Sequence, residues 1–146
     1  MTTEHLLQSD EQEVLAANRA FYDALRSLDL AQMEAVWLHE DWVKCLHPGW
    51  ELLVGWEEIQ KAWADIFRSS VRMLVTVGRP LVHVSGDTAW VSCLEDVTSA
   101  YEGGLSSALV EVTNIFVRRQ GRWLMVHRTT STLPGDVPAA GSRSVQ

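Results

Sequence analysis

The chain predicts an α+β fold in which three N-terminal helices pack on a curved antiparallel sheet. Two observations carry that expectation. Four β-type runs, Arg79 to Val84, Thr88 to Tyr101, Leu105 to Arg118 and Trp123 to Thr132, are separated by only Gly86-Asp87, Gly103-Gly104 and Gln120-Gly121. Such short glycine-containing connections read as hairpins of one meander. Apart from one short hairpin, everything before them has helical spacing, and a helical layer on one face of a curved sheet encloses a pocket.

The elements follow in order. Ser9 to Glu13 offers overlapping capping boxes, Ser9 with Gln12 and Asp10 with Glu13, and Val14, Leu15, Phe21, Tyr22, Leu25 and Leu28 keep helical spacing. The first helix is therefore predicted from about residue 10 to 28. Asp29 caps a second helix with Gln32 at its third position; Leu30, Met33, Val36 and Trp37 form its stripe, and His39-Glu40-Asp41 ends it. Trp42 to His47 reads as a strand, Pro48-Gly49 as a turn and Glu51 to Val54 as a second short strand. Gly55 opens the third helix, with Glu57 and Glu58 in its positive first turn, Arg68 in its last, and Trp56, Ile59, Trp63, Ile66 and Phe67 on one side. From Leu133 onward the sequence lacks periodicity and cannot bury enough apolar area to order itself. The expected division is an N-terminal segment 1–9, one domain over 10–133 and a mobile tail 134–146.

Composition narrows the partners. A chain of 146 residues with 47% hydrophobic content suits one domain, which buries roughly two-thirds of its unfolded surface. A net charge of −7, from 12 basic and 19 acidic residues, argues against nucleic acid and anionic membranes. The N-terminus lacks a basic start followed by an apolar core, and no apolar run approaches the ~18 residues of a membrane helix. A soluble, cytoplasmic protein is expected. Cys45 and Cys93 lack metal-type spacing and read as reduced, small apolar residues.

Hairpin register decides which side chains share a face. A two-residue Gln120-Gly121 loop pairs Arg118 with Trp123, Phe116 with Met125 and Asn114 with His127. A Gly103-Gly104 loop pairs Val112 with Glu95 and Asn114 with Cys93, and alternation adds Ala89 and Val91 to that face. The other face carries Trp90, Leu94, Leu109, Ile115, Val117, Leu124 and Val126, mixed with Glu111, Thr113 and Arg128. A sheet this apolar on both sides needs two covers. The helices supply one, and a second copy is the natural other, so a homodimer through the sheet face is expected.

The order α-α-β-β-α-β-β-β-β, together with Phe21-Tyr22-Asp23-Ala24-Leu25, Leu28-Asp29-Leu30, Gly55-Trp56-Glu57-Glu58-Ile59, Gly86-Asp87-Thr88-Ala89-Trp90-Val91, Thr113-Asn114-Ile115-Phe116 and Gly121-Arg122-Trp123, resembles the SnoaL-like branch of the NTF2-like superfamily. The resemblance covers about residues 10 to 133 and implies a cone-shaped fold related to ketosteroid isomerase, with an apolar pocket between the helices and the concave sheet. It does not imply one chemistry, because such a fold hosts many. Carried over by position, the isomerase pattern is incomplete: His47-Pro48 stands where that family has an Asp-Pro pair whose Asp shuttles a proton. Asn114 replaces its protonated acid, and Phe21 replaces its tyrosine, with Tyr22 one position away on a different face. Steroid isomerisation is not implied.

The candidate acid/base set is His47, His127, Asn114 and Glu95: a histidine titrates near neutral pH, and an inward carboxylate in an apolar strand is costly and often functional. Phe21, Trp42, Trp50, Trp63, Phe116 and Met125 are candidate walls of the ligand pocket, although tryptophans at such spacing are more often core. His39, Glu40, Asp41 and His47 lie on different elements, so no metal is expected, and no nucleophile elbow, phosphate loop or dinucleotide fingerprint points to a cofactor. Two function classes remain. One is a domain binding a small hydrophobic or carboxylate-bearing ligand, or serving as an assembly module, without catalysis. The other is a cofactor-free isomerase, lyase or hydrolase that uses a pocket histidine. The first is favoured because the resembled catalytic set is incomplete.

Overall fold

In a computed structural model, residues 3–134 are described, with side chains from Gln8 onward. Helices α1 (Thr3–Ser27) and α2 (Leu30–Val36) precede short strands β1 (Lys44–Cys45) and β2 (Leu53–Val54). Helix α3 (Trp56–Ser69) follows, and then four long strands: β3 (Ser70–Ser85), β4 (Thr88–Tyr101), β5 (Gly104–Arg119) and β6 (Arg122–Thr132). One six-stranded sheet has the order β2-β1-β6-β5-β4-β3. The fold is α+β, with three helices on one face of a mostly antiparallel sheet, as the sequence predicts.

The helix signals hold with one shift. Helix α1 starts at Thr3 rather than at about residue 10, so the expected segment 1–9 is largely helical. Gln, Glu and Leu around Ser9 are good helix formers, so nothing there stops the helix. Asp10, instead of capping, forms an ion pair with Arg118 at 2.9 Å. The helix ends at Leu28 in a left-handed conformation, φ 54°, with Asp29 N–H donating to the Ala24 carbonyl. Asp29 caps α2 as expected, accepting from Gln32 N–H at 3.2 Å. Gly55 precedes α3 at φ 93°, and a Cβ there would lie 3.3 Å from the Asp41 carbonyl oxygen, so both backbone and space demand glycine.

The short hairpin is reduced to two residues per strand, Lys44–Cys45 and Leu53–Val54, shorter than the runs Trp42–His47 and Glu51–Val54. Its decisive feature is a parallel pairing with β6, which sets Cys45 opposite Arg128 and Lys44 opposite His127. Strand β3 begins at Ser70, well before the run that starts at Arg79. It continues through a register shift at Gly78–Leu81 in which Arg79 has φ 54°. Pro80 is tolerated there because β3 is an edge strand and the irregularity frees its missing N–H. The expected mobile tail beyond Pro134 lies outside the described residues.

Register corrections fix the site. The β4–β5 turn is Glu102-Gly103 rather than Gly103-Gly104, so Cys93 pairs with Val112 and Asn114 with Val91. That shift is two residues and keeps every face. The Gln120-Gly121 turn is as predicted, with positive φ at both residues, and Arg118 pairs with Trp123 and Phe116 with Met125. Beyond them a bulge intervenes: Ile115 pairs with His127 and Asn114 with Arg128. One extra residue in β6 turns His127 to the outer face and Arg128, expected outside, to the inner one.

The core lies between the helices and the inner face. Val14, Phe21, Leu25, Met33, Ile59 and Trp63 meet Ala89, Val91, Val112, Phe116 and Met125. Outside, Leu74, Leu81 and Trp90 remain exposed. No helix among the described residues is long and apolar enough to cross a membrane.

Candidate functional site

Where α1, α3 and the turn after β1 meet the inner face, a cavity of about 210 Å³ opens. Leu25, Trp63, Ile66, Met73, Val97 and Val110 make its walls apolar. The polar residues on its border are His47, Glu95, Ser99, Ser106 and Arg128. The three that can carry charge, His47, Glu95 and Arg128, each come from a different strand or turn. Glu95 continues the inward alternation of β4, Arg128 is aimed inward by the β6 bulge, and His47 follows β1, whose parallel pairing holds it beside Arg128. Leu46 N–H donates to the Arg128 carbonyl at 2.9 Å, and Thr130 Oγ1 donates to the Leu46 carbonyl at 2.8 Å. These bonds fix the turn.

Arg128 and Glu95 form a buried bidentate pair. Arg128 Nη1 donates to Glu95 Oε2 at 2.7 Å and Nη2 to Oε1 at 3.1 Å, with Glu95 1% and Arg128 3% exposed. The Phe21 ring lies under the guanidinium, 4.8 Å from its centroid. Burial alone would lower the Arg128 pKa, but the Glu95 charge overrides it and holds the guanidinium protonated above its ordinary value. Behind the pair, Tyr22 O–H donates to Glu95 Oε2. Asn114 Nδ2 donates to Asn18 Oδ1 at 2.9 Å and to Tyr22 Oη at 3.2 Å. Burial, opposed by Arg128 and assisted by Glu95, raises the Tyr22 pKa, so the phenol stays a neutral donor. Both Glu95 oxygens are thus occupied.

His47 is 4% exposed, edge-on to Trp50 at 4.9 Å and to Trp63 at 4.6 Å between ring centroids. Burial first and the Arg128 charge second push its pKa down to about 3, so the imidazole is neutral at pH 7. Cys45 Sγ lies 3.8 Å from His47 Nε2, and burial pushes that thiol up to about 12. Cys45 and Cys93 are both free and buried.

The predicted residues separate into three groups. His47, Glu95, Trp50 and Trp63 border the cavity. Asn114, Phe21, Phe116 and Met125 are fully buried but lie in the core behind or beside it rather than on its wall. Trp42 is exposed and away from it, because alternation buries Val43, Cys45 and His47 and turns Trp42 to the other side. His127 is half-buried on the outer face, where burial and then Lys44 lower its pKa. The expected Asn114–His127 pairing is overturned by the bulge, and Arg128 takes that place. Tyr22, expected on another face, reaches the same network as Asn114. Missed altogether were Arg128, Asn18 and Tyr22 as members of the polar floor. One signal pointed to Arg128: an inward Glu95 requires a cation, and Arg128 is the basic residue in the middle of β6.

Comparison with known proteins fits this geometry. The chain is 31% identical to a solved protein of the NTF2-like family from Streptomyces avermitilis that is named as a proposed dehydratase, covering 86% of this chain and 97% of that one with a TM-score of 0.81. It is 27% identical to a protein from Thiobacillus denitrificans named as a proposed calcium/calmodulin-dependent protein kinase type II association domain, with 81% and 93% covered and a TM-score of 0.69. It is also 29% identical over 120 residues to the F-box protein SKIP8 of Arabidopsis thaliana; the match covers 82% of this chain but only 49% of that protein, so the chain spans about half its length. Residues 14–135 match the SnoaL-like domain, and the chain belongs to that family within the NTF2-like superfamily.

Proposed function

We propose that this domain binds a small, largely apolar molecule with one oxygen-bearing polar end in the cavity bordered by His47, Glu95 and Arg128. The observation that carries the reading is a charged pair kept at the floor of a largely apolar cavity. A charged pair buried among apolar walls contributes little stability relative to apolar replacements, and its usual value is specificity. The volume is below the usual range for drug-sized ligands, so the ligand is smaller than those. The SnoaL-like and NTF2-like fold is one that binds or transforms small molecules.

Filling the cavity tests this. Ala108→Leu adds a side chain to its wall and is expected to abolish binding of small aromatic compounds, followed by chemical shifts of the Trp50 and Trp63 indole N–H groups, while thermal stability is kept or raised. Unchanged binding in the variant would place the ligand elsewhere.

A catalytic reading has its own support, the resemblance to a proposed dehydratase together with His47 at the cavity. Binding is preferred on chemical grounds. A general base works best with a pKa near the working pH, and the pKa of His47, at about 3, lies far below it. Glu95 is held at both oxygens by Arg128 and at one by Tyr22, which fixes it as a partner of the guanidinium.

We further propose a homodimer through the outer sheet face, supported by Leu74, Leu81 and Trp90 exposed there beside half-buried Ile115 and Val117. Sedimentation is expected to show a dimer at micromolar concentration, and Ile115→Lys to shift it toward the ~16 kDa monomer. A wild-type monomer at that concentration sinks the idea.

A further inference from the structure

The buried pair leaves donor groups unpaired around the cavity. A guanidinium has five N–H groups; those of Arg128 reach Glu95 twice and Asn114 once, the last at 3.5 Å, and its Nε has no hydrogen-bond partner among the described residues. Trp63, also in the lining, likewise has a buried indole N–H without a partner among the described residues. Both groups can only donate. The lining adds the hydroxyls of Ser99 and Ser106, which can donate to a ligand oxygen held among apolar carbons.

Two kinds of oxygen satisfy that pattern, a neutral carbonyl and a carboxylate, and charge separates them. Arg128 is the one cation bordering the cavity and Glu95 the one anion, joined bidentately, so the floor carries no net charge. His47 adds none, since it stays neutral at pH 7. A carboxylate entering here would lose its hydration and sit beside an existing carboxylate without a free cation in return. The chain's overall charge of −7 opposes it further.

We propose that Glu95 is a charge filter: by neutralising Arg128 it keeps the cavity floor uncharged, so that the cavity takes a neutral oxygen-bearing group and rejects carboxylates. This rests on the cavity being the binding site. It names the ligand class, a small apolar ketone, aldehyde, ester or amide, and assigns to Glu95 a selectivity role distinct from proton transfer.

The test compares two probes of nearly the same shape, acetophenone and benzoate, by calorimetry and by the Trp63 indole N–H shift at pH 7. Acetophenone is expected to bind at least ~10-fold more tightly to the wild-type protein. In Glu95→Gln, which keeps the side chain's shape but leaves Arg128 uncompensated, the order is expected to reverse, with benzoate gaining tenfold or more. Benzoate binding to the wild type as tightly as acetophenone would overturn the filter while leaving the cavity reading intact. Binding of neither, or binding that Ala108→Leu does not disturb, removes the cavity reading and the filter with it. Should Glu95→Gln fail to fold alone, the wild-type ratio still decides, and refolding of that variant by benzoate but not by acetophenone supports the proposal.

Discussion

Arg128→Met is expected to lower the unfolding free energy by about 3–5 kcal/mol, because it leaves the Glu95 carboxylate, only 1% exposed, without its partner charge. The cost comes less from the lost attraction than from the partner left behind. Glu95 would keep only the Tyr22 hydroxyl, and the Phe21 ring would lose the guanidinium stacked on it. Combining Arg128→Met with Glu95→Gln removes both charges, leaves an amide that still accepts from Tyr22, and is expected to recover most of the loss. Urea denaturation of the wild type, both single variants and the double variant closes the cycle, with the coupling energy as readout. A loss below ~1 kcal/mol for Arg128→Met would mean that water reaches the pair, which would remove the basis for a charge-filtered cavity.

The same pair shows how far the sequence could be read. Alternation along β4 and β5 places Glu95 and Asn114 inward correctly, even though the turn between those strands is Glu102-Gly103 rather than Gly103-Gly104, because a slip of two residues leaves side-chain parity unchanged. Parity fails in β6. There the single extra residue between Met125 and His127 lies next to the point where β1 and Trp37 add parallel contacts to the strand, a tertiary arrangement with no local signature. Half of a polar site was therefore legible as an expensive inward acid, and the other half was hidden by one residue of register. The tryptophans divide along a similar line. Trp63 repeats with Ile59, Ile66 and Phe67 on a strongly amphipathic helix and lines the cavity, whereas Trp42 has the opposite parity to the buried Val43, Cys45 and His47. Trp50 reaches the cavity mouth through the Pro48-Gly49 turn, closed by Trp50 N–H donating to the His47 carbonyl at 3.0 Å.

Acid should destabilise this protein well before general carboxylate protonation, and His47 should be the cause. In the unfolded chain its imidazole titrates at its ordinary 6.5; in the folded protein burial, and then the Arg128 charge, hold it at about 3. Between those values the unfolded state binds a proton that the folded state does not. Stability is therefore fully present above pH 6.5 and falls as the pH drops through this window. Each unit of displacement corresponds to about 1.4 kcal/mol, so the accumulated loss by the lower end is several kcal/mol, a large share of a typical domain's stability. His47→Phe removes the titrating group while keeping a ring that can meet Trp50 and Trp63 edge-on. The expected result, from urea midpoints taken from pH 8 to pH 4, is a wild-type curve that declines steeply below pH 6.5 and a His47→Phe curve that keeps only the shallower decline due to half-buried His127 until carboxylates begin to protonate. At pH 8 the two should differ by less than ~1.5 kcal/mol, since the ring volume is conserved. Parallel curves would show that His47 accepts its proton in the folded protein near neutral pH. The imidazole would then be solvated rather than sealed against Trp63, and the chemical argument that favours binding over base catalysis would lose its ground.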